Sequence, residues 1–132
     1  MIFNLKDFLY LKEDNDITLC VQEALHALKN NPGSTLKLGG GEYHFYNKFA
    51  FEKDYYISNN TYGTKKIIFP LIDMKDITID GEGADLMFHG DVIPFVIDNS
   101  ENVILKNFKI DEKNQTAELL TYSISSKKIV FI

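Results

Sequence analysis

Two consecutive stretches of the chain resemble each other: residues 71–81 read LIDMKDITIDG and residues 96–107 read VIDNSENVILKN. In this alignment Asp73 precedes Asp98 by 25 residues, and Asp76 precedes Asn102 by 26 residues. Internal similarity at a spacing of about 20–50 residues is typical of solenoid proteins, in which each repeat stacks on its neighbour. The similarity therefore predicts two successive coils of a solenoid.

Each repeat holds three short apolar runs, separated by glycine, asparagine and aspartate. The runs are 67–72, 77–79 and 86–88, then 95–97, 103–105 and 108–110. Their connections are too short for crossover helices, so a βαβ architecture is disfavoured. The pattern predicts a mainly β fold, the right-handed parallel β-helix. A small antiparallel sandwich with coincidental similarity is the alternative, but the Asn-Gly hairpin signal is absent.

One amphipathic helix is predicted over residues 16–31, with Asp16 as its N-cap and the sequence NNPG at 30–33 ending it. Its apolar residues follow the three-then-four spacing of one helix face; they are Ile17, Cys20, Val21, Ala24, Leu25 and Leu28. The open end of a first coil would expose apolar surface and unpaired strand groups. We expect this helix to cover that end, with Cys20 as a small core residue.

Composition excludes several classes of partner. The net charge of -5, without a block of like charges, disfavours nucleic acid. The sequence has no membrane-spanning run and no secretory signal at its start, and its single cysteine excludes an internal disulfide. His44 and His89 have no second histidine at ligand spacing, so we expect neither a metal site nor a cofactor.

The last part of the chain, 112–132, is predicted to be separate from the cap and first coils at 1–111. Residues 117–122 and 128–132 suggest a β-hairpin around 123–127. The final residues are Ile129, Val130, Phe131 and Ile132. An exposed apolar strand of this kind predicts self-association.

The start of the chain resembles pectate-lyase-like β-helix proteins. The resemblance rests on FNLKDF at 3–8, DND at 14–16, VQEAL at 21–25, STLKL at 34–38 and GEY at 41–43. Lyases, hydrolases, epimerases and phage tailspikes share such an opening. It therefore implies the fold and leaves the chemistry open.

A narrower resemblance is to the α-1,3-galactosidases of the blood-group-B-degrading type. It is carried by YISNN at 56–60, DITIDGEG at 76–83, MFHG at 87–90 and SENVILKNFKID at 100–111. It implies an inverting glycoside hydrolase that acts on terminal galactosides and continues into an inserted barrel, which the segment 112–132 would begin. The family's catalytic carboxylates are expected on later coils. No catalytic residue is therefore expected in this chain. Such relatives are expected to be exported, which leaves localisation undecided. Asp91 and the sequence EKNQ at 112–115 depart from the family pattern.

Inverting hydrolysis needs two carboxyl groups about 6.5–9.5 Å apart. The chain has many carboxylates near strand ends, where aspartate more often serves as a turn residue that bonds its own backbone. We expect that role for Asp73, Asp76, Asp80 and Asp98.

Four residues are candidates for sugar binding. Tyr56, Asn59 and Asn60 belong to the stretch YYISNNTYG at 55–63, whose amides and aromatic rings suit sugar hydroxyls and pyranose faces. His89 lies beside a glycine after an apolar strand. The alternatives are that the tyrosines cover the flank of the first coil, and that His89 makes structural hydrogen bonds.

The sequence therefore supports two hypotheses about function. The first is a fragment or N-terminal module of a carbohydrate-active β-helix enzyme that resembles an α-1,3-galactosidase and is inactive alone. The second is a non-catalytic β-helix module for glycan binding or assembly.

Overall fold

The computed structural model describes the backbone of residues 1–57, 61–112 and 115–131, and the side chains of residues 1–54 and 64–111. The described part is mainly β, with a single sheet and one α-helix. In chain order the elements are β1 (Ile2–Asn4), a 3-10 segment (Leu5–Leu11), α1 (Thr18–Lys29), β2 (Thr35–Lys37), β3 (Glu42–Phe45), a second 3-10 segment (Asn47–Phe49), β4 (Phe51–Ile57), β5 (Thr61–Ile72), β6 (Lys75–Phe88), β7 (Ile93–Glu112) and β8 (Gln115–Phe131).

Most strand pairs in the sheet are parallel. The strand order is β1-β2-β6-β7-β5-β4, with β3 also paired to β6 and β8 to β7. The pairs β1–β2, β2–β6, β3–β6, β5–β7 and β6–β7 are parallel, whereas β4–β5 and β7–β8 are antiparallel. Parallel pairing between successive runs is what stacked repeats require, and it does not fit the antiparallel-sandwich alternative.

The repeat predicted from the sequence is present as strand register. Ile67 pairs with Ile93 and Ile77 pairs with Val103, so both strand pairs are offset by 26 residues (93 − 67 and 103 − 77). The predicted offset of 25 at Asp73 is wrong, because Asp98 pairs with Ile72. Matching identical aspartates had shifted that alignment by one residue.

The third run of each repeat pairs at an offset of 24 residues (108 − 84) instead of 26. The register between β6 and β7 shifts between Asp80 and Ala84, and Ala84 then pairs with Phe108. Gly81 lies in this irregularity, where an added Cβ would lie 2.5 Å from the Asn107 carbonyl oxygen and from the Phe108 Cβ. Only glycine allows the two backbones to approach this closely.

The predicted helix is present, two residues shorter at each end than expected. It begins at Thr18, and the Asp16 carboxylate accepts hydrogen bonds from the Thr18 backbone N–H at 2.9 Å and from its hydroxyl at 2.5 Å. The carboxylate satisfies a donor of the first turn, but the N-cap residue is Ile17, so the prediction of Asp16 at that position is wrong by one residue. The predicted apolar face is buried, including Cys20, and packs into the core beneath β2, β5 and β6.

Stacked aromatic rings fill the core between the strands. Phe45 stacks on Phe88 with ring centroids 5.0 Å apart, Phe69 on Phe95 at 4.4 Å, and Phe95 on Phe108 at 5.5 Å. Offset stacks of this kind add about 0.5–1.5 kcal/mol each beyond area burial. The first two stacks join residues that are paired in register on neighbouring strands, so these paired positions carry the same residue type.

The hairpin predicted within 117–132 is wrong. Gln115–Phe131 is one strand, β8, which runs antiparallel along β7 from Glu112↔Gln115 to Phe95↔Phe131. The polar segment at 123–127 looked like a turn, yet its described backbone stays extended, and the single irregularity falls between Ser100 and Val103 of β7. The division of the chain at 111 and 112 stays a prediction.

Candidate functional site

The outer face of the sheet formed by β3, β6 and β7 carries polar side chains in register. Strand alternation sends Phe45, Phe88 and Phe108 into the core. Along each strand, the residues that alternate with these buried positions face outward, and they form two rows across the three strands. One row is Glu42, Asp85 and Lys109, and the next is His44, Met87 and Asp111.

Two histidines and a glutamate form a hydrogen-bonded chain at the edge of this face. His44 Nδ1 lies 2.7 Å from His89 Nε2, and His44 Nε2 lies 2.7 Å from the Glu42 carboxylate. Both distances are those of short hydrogen bonds. The chain Glu42–His44–His89 therefore links the start of β3 to the end of β6.

Tyr46 completes this group, called here the histidine cluster: Glu42, His44, Tyr46 and His89. The rings of Tyr46 and His89 stack with centroids 4.4 Å apart and planes 9° from parallel. His44 and His89 are also nearly parallel, at 14°. The cluster thus combines aromatic faces with hydrogen-bonding groups, the combination that sugar-binding surfaces use.

Backbone hydrogen bonds hold the histidine cluster in place. The His89 N–H donates to the Phe45 carbonyl oxygen at 2.9 Å, and the Ile17 N–H donates to the His44 carbonyl oxygen at 3.1 Å. The second bond connects β3 to the residue preceding α1. The cluster therefore rests on two strands and on the helix start, which favours a rigid geometry.

The histidine cluster is accessible from solvent to different degrees. The Glu42 side chain is 59% exposed, whereas that of His44 is 19% exposed. His89 and Tyr46 are half-buried. A ligand can therefore reach the cluster, while His44 lies largely behind its neighbours.

Of the four predicted sugar-binding residues, the structure places His89 in a polar cluster. Asn59 and Asn60 lie outside the described residues. The backbone of Tyr56 belongs to β4 and pairs with Tyr62. The side chains of residues 55–63 lie outside the described residues, so sugar binding by this stretch stays a prediction.

The sequence spacing of His44 and His89 did not predict that they are neighbours, yet the two rings are in contact. They are 45 residues apart in sequence and become neighbours through the parallel pairing of β3 with β6. Within the described residues, no group of three histidine, cysteine, aspartate or glutamate side chains is arranged to hold a metal ion.

Three of the four aspartates assigned to turns bond the next repeat through their side chains. The amides of Asn99, Asn102 and Asn107 donate to the carboxylates of Asp73, Asp76 and Asp80 at 2.6, 2.9 and 3.1 Å. Asp73 and Asp76 also have positive φ, as expected at tight corners. The predicted bond to the local backbone is present at Asp80, which accepts from the Glu82 N–H at 3.0 Å, whereas the carboxylates of Asp73 and Asp76 bond side-chain amides of the next repeat.

The raised pKa values of Cys20 and Tyr43 have structural explanations. Burial raises the pKa of the Cys20 thiol above its usual value, which disfavours the reactive thiolate and agrees with a core role. Burial, and secondarily the negative charge of Glu82, raises the pKa of the Tyr43 phenol. Tyr43 donates its hydroxyl hydrogen to the Leu38 carbonyl oxygen at 2.7 Å.

A separate cavity of about 320 Å³ lies between α1 and the strands β4 and β5. Its wall is mainly apolar and includes Leu25, Phe51 and Pro70, and none of its lining residues is an aspartate or glutamate. The Gln22 amide at this cavity donates to the Phe49 carbonyl oxygen. The cavity therefore offers no carboxylate pair for acid–base catalysis.

Comparison with known proteins gives similarity to one group of enzymes. No protein-family profile matches the chain. The chain is 36% identical over 144 aligned residues to the α-1,3-galactosidase B of Bacteroides thetaiotaomicron, an alignment that covers 99% of this chain and 23% of that protein. This chain resembles the α-1,3-galactosidases.

Further α-1,3-galactosidases show the same similarity. The α-1,3-galactosidase A of Shewanella woodyi is 39% identical over 97 residues, which is 74% of this chain and 16% of that enzyme. An α-1,3-galactosidase B of Phocaeicola vulgatus is 44% identical over 80 residues, or 60% and 14%. The chain thus spans less than a quarter of the length of these relatives.

In the described part of the chain, no helix is long and apolar enough to cross a membrane.

Proposed function

We propose that the chain forms the first coils of a right-handed parallel β-helix and contributes a binding surface for terminal galactosides. The offset of 26 residues between β5 and β7, and between β6 and β7 up to Asp80, supports the fold, together with the asparagine–aspartate contacts at its corners. The helix α1 covers one end of this stack. The division into coils at 1–111 and a further segment at 112–132 belongs to the same proposal.

The histidine cluster is the observation that carries the binding proposal. It places Tyr46, His89 and Glu42 together on an outer strand face, where ring faces can pack on a pyranose and polar atoms can bond its hydroxyls. The relatives are named as α-1,3-galactosidases, which indicates a galactose-containing ligand. Asn59, Asn60 and Tyr56 are proposed as further contacts.

The chain on its own is proposed not to hydrolyse galactosides. Inverting hydrolysis requires a pair of carboxyl groups on either side of the scissile bond. Asp73, Asp76 and Asp80 already accept hydrogen bonds from asparagine amides of the next repeat, which assigns them to the scaffold. Under this proposal the acid and the base belong to other coils of the enzyme.

Saturation-transfer NMR with methyl α-galactoside, using the purified chain, tests the binding proposal. We expect transfer to the sugar with the wild type and its loss with His89→Ala. His26→Ala is the matched control, because His26 lies exposed on α1. Binding that survives His89→Ala unchanged would remove the histidine cluster from the proposal.

The absence of catalysis has its own measurement. Incubation with an aryl α-galactoside and with a terminal α-1,3-galactose disaccharide should release no galactose above background. Sustained hydrolysis that disappears with a carboxylate variant of this chain would show that the acid and base lie within it.

A further inference from the structure

The geometry points to Glu42 and His44 as positioning residues that fix the hydrogen-bonding state of His89. In this inference, which rests on the proposed galactoside binding, His89 presents an unprotonated Nδ1 that accepts a hydrogen bond from a sugar hydroxyl. Neither Glu42 nor His44 needs to touch the sugar. They determine which atom of His89 carries its hydrogen.

The direction of each hydrogen bond follows from the Glu42 end of the chain. An ionised carboxylate only accepts hydrogen bonds, so the hydrogen in the 2.7 Å contact lies on His44 Nε2. A neutral imidazole with a hydrogen on one nitrogen has a lone pair on the other. With His44 neutral, as this inference takes it to be, its Nδ1 is the acceptor in the contact with His89.

The same reasoning extends to His89. Because His44 Nδ1 accepts, the hydrogen in the second 2.7 Å contact lies on His89 Nε2. His89 Nδ1 is then left with its lone pair. A histidine orients its second nitrogen through the bond made by the first, as in metal sites and catalytic triads. The carboxylate of Glu42 thus acts on His89 across an intervening ring.

Stacking fixes the orientation of the His89 ring as well. Tyr46 stacks on His89 at 4.4 Å, and the His89 backbone N–H is held by the Phe45 carbonyl oxygen at 2.9 Å. These contacts restrict rotation of the ring. An acceptor with a fixed direction binds a sugar hydroxyl with a smaller entropic cost than a freely rotating side chain.

Tautomers of the three histidines in the chain can be assigned directly by long-range ¹H–¹⁵N NMR. In the free wild type we expect His44 and His89 to carry their hydrogen on Nε2 alone, with His26 as the exposed reference. Addition of methyl α-galactoside should shift the His89 Nδ1 resonance most. A hydrogen on His89 Nδ1 in the free protein at neutral pH would overturn the inference.

Glu42→Gln is the decisive variant. An amide can either accept from or donate to His44 Nε2, so the tautomer is no longer fixed, while the 59% exposed position makes the substitution compatible with folding. We expect mixed tautomers at His44 and His89, and galactoside affinity reduced between about twofold and tenfold, the change that one neutral hydrogen bond produces. Glu23→Gln on the exposed side of α1 is the matched control and should change neither.

The two proposals fail in different ways. Galactoside binding that depends on His89 but is unaffected by Glu42→Gln would overturn the positioning role and leave the proposed function intact. A wild-type spectrum without any galactoside-induced shift would overturn the proposed function and the acceptor role of Nδ1. The tautomers in that same spectrum would still decide whether Glu42 orients the pair.

Discussion

The side-chain amide of Asn102 donates a hydrogen bond to the carboxylate of Asp76 at 2.9 Å, across the boundary between two successive repeats. Both residues have positive φ, 53° in each case, and occupy equivalent corners. A corner that recurs in successive repeats brings like side chains close together. Pairing one carboxylate with one neutral amide gives a hydrogen bond where two carboxylates would repel.

Asn102→Asp is expected to destabilise the protein at neutral pH. It places two negative charges at the distance of the present hydrogen bond, and we expect the free energy of unfolding to fall by about 1 kcal/mol. Acidification should reduce this loss, because protonation of one carboxyl restores a donor. Urea unfolding at neutral and acidic pH measures both effects. The double exchange Asp76→Asn/Asn102→Asp should recover most of the loss; failure to recover would show that the amide–carboxylate pair is not the source.

The parts of the fold that the sequence predicted are those with a local or short-period signal. The helix follows from the spacing of Cys20, Val21 and Leu28, and the two similar repeats follow from a spacing close to 26 residues. The shift between Asp80 and Ala84 could not be read from the sequence, because it depends on the close approach of Gly81 to Asn107. The misassigned hairpin in β8 has a different cause: a polar segment that resembles a turn can remain a strand when it pairs along its length.

The histidine cluster was missed because its repeat has a longer period. Residues 40–46, GGEYHFY, align with residues 83–89, GADLMFH, at an offset of 43, which is also the register of β3 on β6. In that alignment Tyr46 is equivalent to His89, which predicts their stacking. The sequence analysis did not find this spacing, because it differs from 26.

Ser100 and Ser34 form a matched pair of buried hydroxyls with opposite expected effects. Ser100 accepts the Met74 N–H at 3.1 Å and donates to the Leu71 carbonyl oxygen at 2.9 Å. Ser100→Ala should therefore lower the free energy of unfolding by about 1–3 kcal/mol, because the Met74 N–H loses this partner.

The Ser34 hydroxyl, within the described residues, has no hydrogen-bond partner although the residue is 2% exposed. Ser34→Ala should be neutral or stabilising, since it removes a buried unpaired polar group. Chemical denaturation of both variants measures the contrast. Equal destabilisation by the two substitutions would contradict this reading of the hydroxyl contacts.

Gly81→Ala is expected to disrupt the pairing of β6 with β7. The added Cβ would lie 2.5 Å from backbone and from the Phe108 Cβ, so the strands must separate or shift. We expect a loss of about 3 kcal/mol or more, as for overpacking in a rigid core. Gly83→Ala is the control: apart from its chain neighbours, no atom of the described residues lies within 4 Å of an added Cβ, but its φ of +89° should cost about 1–2 kcal/mol. Thermal unfolding followed by circular dichroism measures the difference, and a smaller effect at Gly81 than at Gly83 would contradict the packing argument.

Tyr43 should make stability depend on pH in the alkaline range. Its pKa in the folded protein is raised above the ordinary value of 10.0 by burial and then by the charge of Glu82, so the folded state favours the neutral phenol. The contribution of the neutral phenol to the free energy of unfolding is therefore fully present below the unfolded-state pKa, and it is lost as pH rises through the folded-state pKa. Tyr43→Phe removes the hydrogen bond to the Leu38 carbonyl oxygen and should cost about 0.5–1.5 kcal/mol at neutral pH.

The difference in the free energy of unfolding between Tyr43→Phe and wild type should shrink at strongly alkaline pH. The control Tyr10→Phe, at a 75% exposed position, should show no such trend. A Tyr43→Phe deficit that stays constant from neutral to strongly alkaline pH would show that the phenol does not couple folding to proton release.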